Sequence, residues 1–292
     1  MKIVFLGTSA MVPTKDRNHF SVFLDYSKEG ILIDCGEGTQ RQFRKKGIPV
    51  TKIKKILITH WHGDHVLGLM GIIQSMGANN YKDTLEIYSI KGSKKYFQSM
   101  LKSVSLRNII DIKFTEINEG MFFENEKFKL ESKKVKHGIE CLAYKFTEKD
   151  KRNINLNYTK KFGLTQHPLL GKLQKGKDIV YQGKKITVSK GTKLKKGKKI
   201  TFILDTEYFK GLEKFAKESD ILVIESTLLE KDKKEGHLTA KLAGKIAKNS
   251  KVKELILTHF SQRYRNTKEI EKEVKKEFKK VKISKDLMEI KV

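Results

Sequence analysis

THWHGDH, residues 59–65, sets three histidines and one aspartate within six positions of a chain that has eight histidines in 292 residues. The run that leads into it, KKILIT (54–59), is apolar, and the stretch after it carries Val66, Leu67, Leu69, Met70, Ile72, Ile73 and Met76 on more than one face. The first reads as a strand and the second as a buried helix from about 64 to 76, so His60, His62, Asp64 and His65 lie on the loop between them. Gly63 lets that loop turn tightly, while Gly68 and Gly71 permit close approach of a neighbour. Imidazole and carboxylate together suit zinc and similar first-row ions, and a site without thiolates is more often catalytic than structural.

On either side of this loop, strand and helix patterns interleave. KIVFLGT (2–8), FSVFLDY (20–26) and ILIDC (31–35) precede it, with a helix near 37–46. LEIYSI (85–90), DIKFTEI (111–117), FKLESKKV (128–135) and CLAYKF (141–146) follow, then ITFILD (200–205), DILVIEST (220–227) and VKELILTH (252–259), with helices near 209–217 and 239–249. Interleaving of this kind points to an α/β class, and two halves that each run strand, helix, strand suit a two-sheet sandwich with helices outside. Several strands end on a reactive group, His60, Asp205, Glu225 and His259, which is where α/β folds usually present a site.

Charge adds a second theme. Sixty-two Lys+Arg against 34 Asp+Glu leave a net +28, a field that attracts polyanions, nucleic acid first. The excess is localised: residues 145–199 hold 17 basic and 3 acidic side chains, a net +14, together with repeated glycines and few large apolar residues. This segment is expected to be a basic arm inserted in a single domain of 1–292, not a core element, because strand patterns resume after it. No run approaches the roughly 18 apolar residues of a membrane span, and residues 1–6 lead straight into a strand without a signal-peptide pattern. A soluble cytoplasmic protein is expected, with Cys35 and Cys141 as reduced, buried thiols.

HWHGDH (60–65) resembles the HxHxDH signature of the metallo-β-lactamase fold, a four-layer αββα sandwich. The resemblance implies two divalent ions, most often zinc. His60, His62 and His137 (in KVKHGIE) would hold the first, Asp64, His65 and His259 (in LILTHFS) the second, and Asp205 (in FILDTEY) would bridge them. Further stretches resemble the ribonuclease Z family: PTKDRN (13–18), DCGEGTQRQ (34–42), IESTLLE (224–230) with EGHLTA (235–240), and THFSQRY (258–264). The basic segment falls where that family inserts a tRNA-gripping arm, and HPLLGKLQKG (167–176) is similar to the arm's usual wording, with His167-Pro168 in place of Gly-Pro.

The family implies removal of the 3′ trailer from precursor tRNA, leaving a 3′-hydroxyl, by a hydroxide made at neutral pH between two ions about 3.5–4 Å apart. Asp64 is the candidate proton acceptor, and His237 with Glu225 behind it the candidate acid for the departing oxygen. Lys15, Arg17 and Asn18 on the first loop, with Arg263, are candidate contacts to phosphate and the 3′ end. The resemblance also implies a homodimer in which the arm of one subunit serves the site of the other. A small-molecule thioester or lactone hydrolase of the same fold would have no reason to concentrate +14 on one segment, and a non-catalytic RNA-binding relative would have lost ligands that this chain keeps. A messenger-RNA cleavage factor would need an extra domain of well over ~100 residues.

Overall fold

The computed structural model describes residues 1–104 and 109–292. The chain divides into two compact units, one formed by Met1–Phe123, Leu130–Phe146 and Lys199–Val292, the other by Glu124–Lys129 and Thr147–Lys198.

In chain order the strands are β1 (Lys2–Gly7), β2 (Ser21–Tyr26), β3 (Glu29–Ile33), β4 (Ile53–Leu57), β5 (Leu85–Ile90), β6 (Ile112–Ile117), β7 (Gly120–Glu124), β8 (Phe128–Val135), β9 (Cys141–Glu148), β10 (Lys151–Ile154), β11 (Ile179–Tyr181), β12 (Lys184–Ile186), β13 (Thr192–Lys195), β14 (Lys199–Ile203), β15 (Ile221–Glu225), β16 (Glu254–Thr258), β17 (Val281–Ile283) and β18 (Glu289–Lys291). The α-helices are α1 (Thr39–Lys46), α2 (Gly63–Val66), α3 (Leu69–Ala78), α4 (Lys94–Ser103), α5 (Leu156–Thr159), α6 (Leu169–Gln174), α7 (Val188–Gly191), α8 (Lys210–Ala216), α9 (Ala240–Asn249) and α10 (Lys268–Glu277).

Two seven-stranded sheets result, ordered β18-β1-β2-β3-β4-β5-β6 and β17-β16-β15-β14-β9-β8-β7. The first is antiparallel from β18 to β3 and parallel from β3 to β6, and β14 to β17 of the second are parallel. Parallel strands need both faces covered, and the alternation of side chains satisfies this. On β1 and β3, Val4, Leu6 and Leu32 join one core with Phe43 of α1, Ile72, Ile73 and Met76 of α3 and Phe97 of α4. Their neighbours Ile3, Phe5, Ile31 and Ile33 point the other way and are equally buried. On β15 and β16, Leu222, Ile224, Leu255 and Leu257 pack with Leu212 and Phe215 of α8, Ile246 of α9 and Ile270 of α10. Ile221, Val223 and Ile256 are buried on the opposite face. Between the sheets, the Tyr144 hydroxyl donates to the Ile58 carbonyl at 2.6 Å, and the Tyr26 and Phe146 rings meet at 5.1 Å. The outcome is the four-layer αββα sandwich.

Three features differ from the sequence reading. The helix expected over 64–76 is two, broken at Leu67 and Gly68, where the Gly68 N–H donates to the Cys35 carbonyl at 2.9 Å. A Cβ on Gly68 would lie 2.1 Å from the Gly36 carbonyl oxygen, so the break is where the helix start is pressed onto the loop after β3. The chain's last strand, β18, pairs antiparallel with its first, a match of residues almost 290 positions apart that no local pattern announces. The basic segment, expected to be no element of the domain core, has a small cluster of its own that the sequence reading did not anticipate: Leu164, Leu173, Ile179 and Ile186 are buried, with Tyr158, Phe162 and Val188 against them. The segment also holds two antiparallel pairs, β10 with β13 at its ends and the short hairpin β11–β12 between them.

Cys35 and Cys141 are buried and unbridged, and burial pushes both thiols up from their ordinary pKa. Among the described residues no helix is long and apolar enough to cross a membrane.

Candidate metal centre

Asp34, directly after β3, organises the first half of the site. It is fully buried and takes a left-handed backbone conformation (φ 55°), which turns its carboxylate towards the loop after β4. There it accepts from the Thr59 N–H at 2.7 Å and the Thr59 hydroxyl at 2.8 Å, and lies 2.7 Å from His65 Nδ1. His65 is therefore oriented by a buried carboxylate, with Nε2 aimed inward. Asp34 was not among the residues expected to act. Its only signal was its position in DCGEG, at the end of an apolar strand.

The hydrogen-bond network assigns the imidazole tautomers. Thr59 gives its one hydroxyl proton to Asp34, so towards His60 Nδ1, 3.0 Å away, it acts as acceptor. Thr227 likewise gives its proton to Glu225 and lies 3.0 Å from His259 Nδ1. His137 Nδ1 donates to the Gly236 carbonyl at 2.9 Å. Each of these histidines, with His65, thus carries its proton on Nδ1 and presents a bare Nε2 to the same small space. His60 Nε2 and His137 Nε2 stand 3.0 and 3.3 Å from His62 Nδ1.

Asp205, immediately beyond β14, faces both ways. Its Oδ2 is 3.9 Å from His60 Nε2 and 3.8 Å from His137 Nε2, and its Oδ1 is 3.7 Å from His65 Nε2 and 3.3 Å from His259 Nε2. Asp64 Oδ2, which accepts from the Met11 N–H at 2.8 Å, is 3.4 Å from His65 Nε2 and 3.7 Å from His259 Nε2. Donor atoms of His60, His62 and His137 all lie within 4.8 Å of one another, and so do those of Asp64, His65 and His259. His65 Nε2, His259 Nε2 and Asp205 Oδ1 are buried without a hydrogen-bond partner. Lone pairs facing one another in a dry space repel, and a buried acceptor left unsatisfied costs about 1–3 kcal/mol. The donor set therefore fits divalent cations.

The electrostatics of His60 and His62 agree with that fit. Burial, then neighbouring imidazoles, hold His60 and His62 below their ordinary pKa and so in the neutral form that ligates. Burial opposes charge on His65 and on the two aspartates as well. Even so, Asp34 holds His65 well above its ordinary value, the imidazoles of His259 and His65 hold Asp205 low, and the same two imidazoles, close to Asp64, hold it low as well.

His237 stands beside this cluster on the loop between β15 and α9. Thr239 anchors the loop by capping α9, accepting from the Leu242 N–H at 3.3 Å and donating to Glu230 at 2.6 Å. His237 Nδ1 is 3.4 Å from Glu225 Oε2 and 3.8 Å from Asp205 Oδ2. Burial works against its charged form, but Glu225 outweighs it and pushes the pKa up to about 9. Glu225 itself is fully buried and accepts from the Thr206 N–H at 2.8 Å. Six of the chain's eight histidines thus meet at one place. His19, read as a surface residue, is mostly covered, and its Nε2 bonds the Met11 carbonyl at 3.1 Å; His167 lies exposed in the arm.

A cavity of about 280 Å³ opens over the cluster, lined by Met11, Asp64, His237, Lys234, Gln262 and Arg263 among others. The expected substrate contacts divide. Lys15 and Arg263 are exposed, and Arg263 borders the cavity. Arg17 is committed to the protein, donating to the Tyr264 carbonyl at 2.7 Å and the Ser261 carbonyl at 3.3 Å. Asn18 donates to the Glu37 carbonyl at 2.8 Å, and its N–H bonds Asp286 at 2.7 Å. Arg17 thus fastens the first loop to the segment after His259, and Asn18 fastens it to the turn before α1 and to Asp286. Lys234 and Met11 were not anticipated; neither belongs to a pattern that chemistry would single out.

The two stacked sheets, with a histidine and aspartate cluster at their strand ends, place this chain in the metallo-β-lactamase fold class. The metallo-β-lactamase fold protein YhfI from Bacillus subtilis superposes with a TM-score of 0.74 at 17% identity, covering 99% of this chain and 98% of that one. The family model described as Anti-Pycsar protein Apyc1 matches residues 1–281. Ribonuclease Z of Nitrosopumilus maritimus is 38% identical over 298 residues, covering all of both chains, and that of Methanothermobacter thermautotrophicus is 36% identical over 298 residues, covering 100% of this chain and 97% of its own. The crystal structure of human tRNase Z, short form, matches with a TM-score of 0.72 at 25% identity, over 100% of this chain and 99% of that one. The chain belongs to the ribonuclease Z family.

Proposed function

We propose that this protein is an endonuclease that cuts precursor tRNA after its 3′ end and leaves a 3′-hydroxyl on the tRNA. The observation that carries the reading is the intact cradle of five inward-facing imidazoles and two carboxylates in a chain 38% identical to a ribonuclease Z along its whole length. His60, His62 and His137 would hold one divalent ion, Asp64, His65 and His259 a second, with Asp205 between them, and the nitrogen-rich donor set favours zinc. Bound there, such ions would lower the pKa of a water and neutralise charge on the phosphorus oxygens.

The side chains divide the proton work. Asp64, held ionised by His259 and His65, accepts the proton of the attacking water. As the new P–O bond forms, the bond from phosphorus to the 3′ oxygen breaks and the phosphate stays on the trailer. His237, protonated because Glu225 stabilises its charge, gives its proton to that 3′ oxygen. Lys15 and Arg263 contact phosphate, and Arg17 and Asn18 keep the loop that carries Lys15 in place. The basic segment grips the body of the tRNA, in a homodimer whose arms serve the partner's site, acting in the cytoplasm where precursor tRNA must be matured.

The decisive assay incubates the zinc-loaded protein with end-labelled precursor tRNA beside a thioester substrate. A single cut at the 3′ end that vanishes on chelation is expected; thioester turnover without RNA cleavage overturns the reading.

A further inference from the structure

A second cavity shares only His62 with the candidate metal ligands and is otherwise lined by residues with no role assigned so far. It measures about 710 Å³ and is lined by Trp61, His62, Lys91, Lys95, Tyr96 and Ile139 among others. His62 also borders the cavity over the cluster, so the two cavities have a candidate ligand in common. Trp61 is held by its indole N–H, which donates to the Ser89 hydroxyl at 2.9 Å. Tyr96, on α4, lies with its ring centre 5.7 Å from that of Trp61 and remains 50% exposed. The Lys95 ammonium sits 5.0 Å from the Tyr96 ring centre. KGSKKYFQSMLKSV (91–104) carries four lysines and no acid, and two of the lysines, Lys91 and Lys95, line the cavity. Glu140, the acidic side chain on the rim, is paired with Lys134 at 3.3 Å.

An exposed ring, Tyr96, backed by the partly buried Trp61 in a groove with two lysines is what single-stranded nucleic acid requires: a face for a base to stack on and cations for the phosphates. A small hydrolase substrate would need neither the two lysines nor a groove larger than the cavity over the cluster. We propose that this groove is the path of the 3′ trailer, with a trailer base stacked on Tyr96 beside Trp61 and its phosphates met by Lys91 and Lys95. The inference rests on the precursor-tRNA reading and adds to it where the severed strand lies.

The test compares two precursor tRNAs, one with a single-nucleotide trailer and one with a trailer of ten nucleotides. The quantity read is the ratio of kcat/KM for the long to the short trailer within each protein, so loss of folded enzyme cancels. Tyr96→Ala should lower the ratio by about fivefold or more, the usual worth of one stacked base, and the pair Lys91→Ala and Lys95→Ala should lower it further as salt is reduced. As a readout independent of turnover, 5-iodouridine at the second trailer nucleotide should cross-link on illumination to the peptide containing Tyr96. An unchanged ratio in both variants, or cross-links confined to other segments, overturns the groove while the nuclease reading stands. Cleavage of neither precursor by the wild-type protein overturns both.

Discussion

The metal centre and the basic segment handle charge in opposite ways. At the centre, ionisable groups are taken out of water and each is fixed by a named partner: His65 by Asp34, His259 by Thr227, His137 by the Gly236 carbonyl. In the segment 145–199, a net +14 is spread over exposed lysines around a core of four buried aliphatic residues. Even the acids behave differently. Against burial, neighbouring imidazoles hold Asp64 and Asp205 low at the centre, whereas Asp150 and Asp178 in the segment are exposed and held low by Lys196 and by the Val188 N–H, respectively. Chemistry needs a few groups placed to within fractions of an ångström, while attraction of a polyanion needs many charges placed only approximately.

If that contrast is sound, the two regions fail separately. The largest effect is expected from Asp64→Ala or His65→Ala: cleavage lost and bound metal reduced, with tRNA affinity within a few-fold of wild type. Metal analysis and filter binding on the same preparations check it, and full activity without detectable metal would break the two-ion assignment. His237→Ala should leave metal content and affinity unchanged and lower the single-turnover rate by about 10²–10⁴. Metal loss along with activity would make His237 a ligand, which its proximity to Asp205 and His137 permits.

Replacing the segment with a short Gly-Ser loop should do the reverse. The tRNA dissociation constant rises, and the slope of log affinity against log salt flattens by about 0.7–0.9 for every phosphate no longer neutralised. Hydrolysis of a nitrophenyl phosphodiester should persist; its loss would mean that the segment supports the centre, and an unchanged salt slope that its lysines are only a solvated surface. Asp34→Asn is expected to be milder, weakening metal affinity by about 10–100-fold through a misoriented His65, read by competition with a chelator.

The smallest effect concerns Asp286, whose carboxylate accepts from the Thr8 hydroxyl at 2.8 Å and the Gln42 amide at 2.9 Å. Its folded pKa lies above the unfolded one, so its contribution to stability is full below about pH 4 and is lost as pH rises through 6. The loss amounts to about 3 kcal/mol at most, since a tenfold change in proton affinity between the folded and unfolded chain is worth about 1.4 kcal/mol. Denaturant midpoints of the wild type should fall across that window, and those of Asp286→Asn should not. Parallel curves would mean that the carboxylate is solvated.

How much of this was legible beforehand follows from the range of each interaction. His60, His62, Asp64 and His65 could be read together because one strand end and one turn bring them together, and β8 and the bounds of β5 follow from local alternation alone. His137, Asp205 and His259 could be named only through family resemblance, since nothing near each one in the chain distinguishes a ligand from an ordinary strand-end residue. Only the tertiary structure decided how they are held. Thr59 and Thr227 set the imidazole tautomers by giving their protons to Asp34 and Glu225. Arg17, which by type looks like a phosphate contact, bonds carbonyls 244 and 247 positions away. The pairing of β18 with β1 and the small core of the basic segment belong to the same class. In each case the partner is remote in sequence. A side chain's type fixes what it can bind, but which partner it meets is set by the packing of distant strands.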